Sequence, residues 1–77
     1  MTKQYSVADR YILKKIGKNI RVFRKQINFS QEDLAFKASI DRSYVGSLER
    51  GEKNVSVLTL NRVAKALNVS LDTFLKI

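Results

Sequence analysis

Apolar residues recur at intervals of three and four along most of the chain, the spacing that places them on one face of a helix. In the first third these residues are Leu13, Ile16, Ile20, Phe23 and Ile27. Their spacing predicts a long amphipathic helix that begins at about Ala8 and ends at Asn28–Phe29. Gly17 lies within it at a cost of about 1 kcal/mol relative to alanine. We therefore expect a close contact with another helix at Gly17.

Two short helices with separate start signals are predicted next. Ser30 can accept a hydrogen bond from the N–H of Asp33, which stands at the acidic position of a capping box, so one helix should begin directly after Ser30. Asp41 is a second N-cap, so the other helix should begin directly after it. Ser39–Ile40 leaves room only for a tight turn between them. Two short helices joined in this way cross at a steep angle and form a helix-turn-helix.

The last third of the chain predicts two further helices. Gly51 is a stop signal, and a polar loop, Glu52–Asn54, follows it. The next helix should run from about Ser56 to Asn68, with its core-facing residues at Leu60, Val63, Ala64 and Leu67. A short fifth helix, capped by Ser70, should run from Leu71 to about Lys76.

The length and composition fit one all-α domain. The 77 residues contain no proline, cysteine or histidine, and a chain of this length builds one modest core. We therefore expect a compact five-helix domain over residues 1–77, with the helix-turn-helix at 31–50 and an arm without periodicity at 1–7. A frayed terminus is the first interpretation of this arm, and an arm that reaches a partner is the second.

The charge favours a polyanionic partner, because the net charge is +8. Residues 1–27 carry eight lysines and arginines against Asp9 alone, which places +7 of this charge in the first third. For most of these lysines a solvated helix face is an equal alternative. Without histidine or cysteine the chain offers neither the usual general base nor the usual metal ligands, so we expect no enzyme, no metal and no cofactor. No apolar run approaches the roughly 18 residues of a membrane span.

The stretch Ser30–Gly51 resembles the helix-turn-helix of the Cro and lambda-repressor type, the xenobiotic-response-element family of bacterial and phage regulators. Four residues match the family. Gln31 opens the first helix, Ala35 is the small residue where the helices cross, and the two apolar positions of the second helix are Val45 and Leu48. The run Asp41–Asn54, DRSYVGSLERGEKN, further resembles the controller proteins of restriction-modification systems. Ser39 departs from the family, which usually has glycine in this turn, and would cost energy in a left-handed conformation.

The resemblance implies a lambda-repressor-like fold and a DNA-binding transcriptional regulator in the bacterial or phage-infected cytoplasm, nucleoid-associated when bound. Its second helix would enter the major groove of double-stranded DNA. The residues expected to read bases are Arg42, Ser43, Tyr44 and Ser47, and those expected to contact phosphates are Gln31, Arg50, Lys53, Asn54 and Ser56. Arg42 is the main candidate, because a guanidinium can donate two parallel hydrogen bonds to guanine. Partial burial beside the preceding helix is the alternative for Tyr44.

Two further expectations concern contacts between helices and between copies of the chain. In the family, an arginine seven residues before the helix-opening glutamine pairs with a glutamate near the end of the recognition helix, which implies an Arg24–Glu49 ion pair. A homodimer would read a palindrome with two half-sites about 34 Å apart. The residues proposed for its interface are Leu71, Phe74, Leu75 and Ile77, and filling of the domain's own core is the alternative for them.

The sequence leaves other functions open. An antitoxin or phage-type repressor would share this fold and act with a partner protein. A protein-interaction module that has lost DNA binding is another alternative, although Gln31, Arg42 and Lys53 together argue against it. Whether the protein activates or represses, and whether it contacts RNA polymerase, is not decided by the residues.

Overall fold

The computed structural model describes residues 5–76 and contains four α-helices followed by a short 3-10 helix. The elements are α1 (Val7–Gln26), α2 (Gln31–Ala38), α3 (Arg42–Glu49), α4 (Val57–Ala66) and the 3-10 helix (Leu71–Leu75). Met1–Gln4 of the predicted arm lie outside the described residues. The described part of the chain contains no strand and no helix long and apolar enough to cross a membrane.

The count of five α-helices is wrong, because the last element is a 3-10 helix. It has only five residues, too few for an α-helical hydrogen-bond ladder of useful length. The N–H of Thr73 donates to the carbonyl of Ser70 at 3.1 Å, the i→i+3 hydrogen bond of a 3-10 helix. The hydroxyl of Ser70 bonds the side chain of Asp72 and makes no backbone cap.

The helices begin at side chains that accept free N–H groups of the first turn. Ser30 and Asp33 form the expected capping box, with the N–H of Asp33 donating to Ser30 Oγ at 2.9 Å and the N–H of Ser30 donating to Asp33 Oδ2 at 2.8 Å. Ser6 and Asp9 form a second box at the start of α1. This box places the start of α1 at Val7, one residue before the expected position.

Each of the four α-helices is followed by a residue in the left-handed conformation. These residues are Asn28 (φ +60°), Ser39 (φ +58°), Gly51 (φ +74°) and Asn68 (φ +60°). In each case the next N–H donates to the carbonyl five residues back, as Ile40 does to Ala35 at 3.0 Å. The chain thus ends its helices without proline, at the four positions that the sequence indicated.

The core lies between the helices, with α3 packed against α1 and α2, α4 packed against α2, and the 3-10 helix packed against α1 and α4. Its buried apolar residues are Ile16, Ile20, Leu34, Ala35, Ala38, Val45, Leu48, Leu60, Val63, Ala64, Leu67 and Phe74. Gly17 brings α1 against the end of α3, because a Cβ there would overlap the carbonyl oxygen of Leu48 and lie 2.7 Å from that of Glu49. Only glycine permits this approach.

Two apolar side chains differ from the first expectation for them, and a third is highly exposed. Phe74, proposed for a dimer interface with core filling as the alternative, is fully buried and meets Phe23 edge to face with 6.0 Å between ring centroids, so it belongs to the core. Phe36 on α2 is 86% exposed. Ile27 follows the last turn of α1 as its C-cap and is half-exposed, because the chain turns away from the core there.

Candidate nucleic-acid interface

Helix α3 turns one side to the core and leaves its first turn open to solvent. Val45 is fully buried and Leu48 nearly so, whereas Arg42 and Ser43 are exposed. Tyr44 is partly buried and packs against the core, as its alternative interpretation predicted. The first turn of α3 is therefore exposed to solvent, while the underside of the helix is anchored in the core.

The hydroxyl groups of both serines on α3 are engaged inside the protein. Ser43 donates its hydroxyl proton to the carboxylate of Asp41, and Ser47 donates to the carbonyl of Ser43 at 3.1 Å. The hydrogen bonds from Ser43 lower the pKa of Asp41 below its ordinary value. In this arrangement both hydroxyl oxygens can only accept, and the bases that offer major-groove donors are adenine and cytosine.

The structure brings Arg24 and Glu49 together in a nearly buried ion pair. Arg24 donates from Nε to Glu49 Oε2 at 2.6 Å and from Nη2 to Glu49 Oε1 at 3.0 Å. Its remaining Nη1 donates to the carbonyl of Phe29 at 2.8 Å. The hydrogen bond to Glu49 raises the pKa of Arg24. The fork-to-fork geometry fixes the end of α3 relative to α1.

Gln31 connects this ion pair to the start of α2. Its Nε2 donates to Glu49 Oε1 at 3.1 Å, so one of the two amide protons expected to reach a phosphate is used inside the protein. The other amide proton and the first N–H groups of α2, which the capping box of Ser30 and Asp33 does not use, are the donors expected to contact a phosphate. Among residues 5–76 no buried side-chain nitrogen or oxygen lacks a hydrogen-bond partner.

The loop after α3 carries the remaining candidates for phosphate contact. Lys53 and Asn54 are exposed. Arg50 is also exposed, but it is paired with Glu52 through Nε to Oε2 at 2.9 Å and Nη2 to Oε1 at 3.2 Å. Ser56 caps α4, accepting from the N–H of Thr59 at 3.1 Å and donating to its Oγ1 at 3.0 Å. The hydroxyl of Ser56 is therefore committed to the cap, which weakens its prediction as a phosphate ligand.

Sequence reasoning missed two features of this surface. The first is Glu52, which pairs with Arg50, and the second is Lys14, whose backbone lies against Gly51. A Cβ on Gly51 would lie 2.9 Å from the Cα of Lys14. The spacing contained a signal for Lys14, because it stands three residues before Gly17 and so shares the face of α1 that meets α3.

Side chains of the protein itself cover Gly46 on α3. A Cβ at Gly46 would lie 3.1 Å from Arg50 Nη1 and 3.6 Å from Gln31 Oε1, so these two side chains cover the glycine. Gly46 is accordingly buried. The residues 5–76 contain no cluster of three or more acidic, histidine or cysteine side chains that could hold a metal ion.

Comparison with known proteins identifies the class of this arrangement. A model described as helix-turn-helix matches residues 20–74, more than half of the chain, and the chain belongs to this family. It is 45% identical over 60 residues to the control protein C.SmaI of Serratia marcescens, a match covering 78% of this chain and 71% of the relative.

Two solved structures are also similar. The restriction-modification controller protein C.AhdI from Aeromonas hydrophila matches with a TM-score of 0.79 and 42% identity, covering 80% of this chain and 94% of that chain. SinR, a master regulator for biofilm formation solved in complex with DNA, matches with a TM-score of 0.76 and 39% identity over 79% of this chain and 98% of that chain. The resemblance to controller proteins inferred from Asp41–Asn54 is thereby confirmed.

Proposed function

We propose that this protein is a sequence-specific DNA-binding transcriptional regulator that controls restriction-modification genes. The observation that carries the proposal is the exposed first turn of α3 above a buried underside, the arrangement that lets a recognition helix enter the major groove. The similarity to a regulator solved with DNA supports the DNA binding. The similarity to a control protein and to a restriction-modification controller supports the control of restriction-modification genes.

Base reading and phosphate binding fall to different residues in this proposal. Arg42 reads a guanine, while the hydroxyl oxygens of Ser43 and Ser47 accept from bases with amino groups. Lys53 and Asn54 on the loop, and Gln31 at the start of α2, contact phosphates and supply most of the affinity. Sequence is thus read by few side chains, and binding strength comes from many.

A homodimer is part of the proposal, because one recognition helix covers too few base pairs to find a single site in a genome. Two copies related by a twofold axis would read a palindrome with half-sites about 34 Å apart. Leu71 and Leu75 on the 3-10 helix are the proposed contacts, and Leu75 is 51% exposed. Phe74 is excluded by its burial, and Ile77 lies outside the described residues.

In vitro selection of bound sequences from a random DNA duplex pool tests the proposal. We expect enrichment of a palindrome whose half-sites are centred one helical turn apart, or a multiple of a turn. Such a site placed beside a promoter should then change transcription when the protein is added. A pool that stays random after repeated selection would contradict sequence-specific binding.

A further inference from the structure

The carboxylate of Glu52, in the loop after α3, lies near three cationic side chains, those of Arg50, Lys53 and Lys14. Glu52 accepts two hydrogen bonds from Arg50, and both side chains are more than half exposed. The bonds from Arg50 are the main cause of the lowered pKa of Glu52, and the charges of Lys53 and Lys14 lower it further. Glu52 is therefore an anion surrounded by three cations of the chain.

These residues share a cleft between α1 and the loop that follows α3. The cleft has a volume of about 340 Å³ and is lined by Tyr5, Arg10, Lys14, Arg50, Gly51 and Glu52. Three of its side chains are cationic, and Glu52 is the acidic one. The cleft adjoins the C-terminal end of α3, and its Arg50 covers Gly46 together with Gln31, another residue expected to contact a phosphate.

The position of Arg50 is set by two neighbours. On one side its guanidinium lies over Gly46, where a Cβ would be 3.1 Å from Nη1. On the other side Nε and Nη2 donate to the two oxygens of Glu52. A guanidinium binds a carboxylate and a phosphate through the same fork of N–H groups. While Glu52 holds Nε and Nη2, that edge of Arg50 cannot bind a phosphate.

We propose that Glu52 is an intramolecular competitor of DNA phosphate for Arg50. In the free protein Glu52 occupies the fork, and a phosphate must displace it before Arg50 can contribute to binding. Exposed ion pairs are weak and exchange readily, so displacement is feasible. Glu52 then lowers the affinity for every DNA sequence alike, which limits unproductive binding by a chain of net charge +8.

This inference rests on the proposed DNA binding, and the test uses a mixed-sequence DNA duplex because phosphate contacts are independent of sequence. Binding is measured over a series of salt concentrations for the wild type, Arg50→Gln, Glu52→Gln and the double variant. Both substituted positions are exposed, and circular dichroism verifies the folding of each variant.

The expected result is that Arg50 matters more when Glu52 is absent. Arg50→Gln should weaken binding less than about 3-fold in the wild type but about 10-fold in the Glu52→Gln background. In that background the slope of log K against log salt should also become shallower by about one unit, as for one lost phosphate contact. Glu52→Gln alone should bind more tightly than the wild type.

Glu32→Gln provides the matched control, because Glu32 is an exposed glutamate on the first turn of α2. Its removal changes the net charge by the same amount, and the cost of Arg50→Gln should be the same with or without it. If Arg50→Gln weakened binding equally in the wild-type and Glu52→Gln backgrounds, the proposal that Glu52 competes for Arg50 would be refuted. Any effect of Glu52 on affinity would then be general charge repulsion of DNA. A wild type that binds no duplex at any salt concentration would instead refute the proposed function.

Discussion

At the scale of single residues, Arg42 and Lys53 are both exposed cations, yet they should affect DNA binding differently. Arg42→Ala should flatten the preference at one base position, because a two-bond contact to guanine is worth about 1–3 kcal/mol of discrimination. Lys53→Ala should weaken binding to all sequences alike and make the salt dependence shallower by about one unit. Selection of bound sequences, followed by affinity measurements over a salt series, checks both. Identical specificity profiles for the wild type and Arg42→Ala would refute this division.

Ser39 carries backbone strain that glycine would relieve. Its φ of +58° and ψ of +45° are left-handed, a conformation that costs an L-residue about 1–2 kcal/mol. Replacing Ser39 by glycine should remove this cost, but part of the gain in stability is lost because glycine makes the unfolded chain more flexible. We therefore expect Ser39→Gly to raise the free energy of unfolding in urea by about 0.5–1 kcal/mol.

The control for this prediction is Ser70→Gly. Ser70 has a φ of −81°, which any residue adopts, and makes no side-chain hydrogen bond to a backbone N–H. Its replacement should give no gain in stability. If Ser39→Gly were no more stable than the wild type, the left-handed turn would be free of cost and the departure from the family's glycine would have no energetic consequence.

At the scale of elements, the Arg24–Glu49 pair joins the end of α1 to the end of α3. Its side chains are 9% and 4% exposed. Removing one partner leaves the other buried without its counter-ion, which should cost on the order of 3 kcal/mol. In urea unfolding, Arg24→Ala and Glu49→Ala should each show this loss, and the double variant should lose much less than their sum.

The exposed Arg50–Glu52 pair serves as the internal comparison. Both side chains are more than half exposed, and removing either should leave the stability nearly unchanged. Strictly additive costs for Arg24→Ala and Glu49→Ala would mean that the pair does not couple the two helices.

Helix boundaries were predictable because the interactions that set them are local. Ser30 accepts a hydrogen bond from a residue three positions ahead, and the residue after each left-handed stop donates its N–H to the carbonyl five positions back. The type of the last element was not predictable, because five residues are near balance between α and 3-10 geometry and packing decides between them. The burial of Phe74 in the core was not predictable either, because Phe74 packs against Phe23, which is distant in sequence and which no local pattern connects to it.

For the candidate site, the exposed side of α3 could be predicted from the sequence, whereas the pairing of side chains in the loop could not. The exposure of Ser43 follows from the burial of Val45 and Leu48, because the helical spacing places Ser43 on the opposite side of α3. Arg42 lies three residues before Val45, and it is exposed at the position where α3 begins. The pairing of Arg50 with Glu52 did not follow from the spacing, because neither residue is fixed by a helical period in the loop. Which exposed cations are free for DNA is thus a property of the tertiary structure.

At the scale of the whole molecule, the proposed homodimer gives a role to one exposed apolar residue. The described residues extend over 35 × 25 × 20 Å, and the two half-sites that the dimer would read lie about 34 Å apart. In the proposed arrangement the 3-10 helices of the two copies would meet, and half-exposed Leu75 is the residue that a partner would cover.

The last prediction concerns Leu75→Lys. A lysine at this position should not disturb the core, because Leu75 is half-exposed, but it should place two charges against each other across the twofold axis. We expect sedimentation at micromolar concentration to show a dimer for the wild type and a monomer for this variant, with palindromic DNA bound about 100-fold more weakly. Phe36→Lys, at an 86% exposed site on α2, is the control that should remain dimeric. A wild type that stays monomeric both free and on DNA would rule out this interface, since one protomer would then read its site alone.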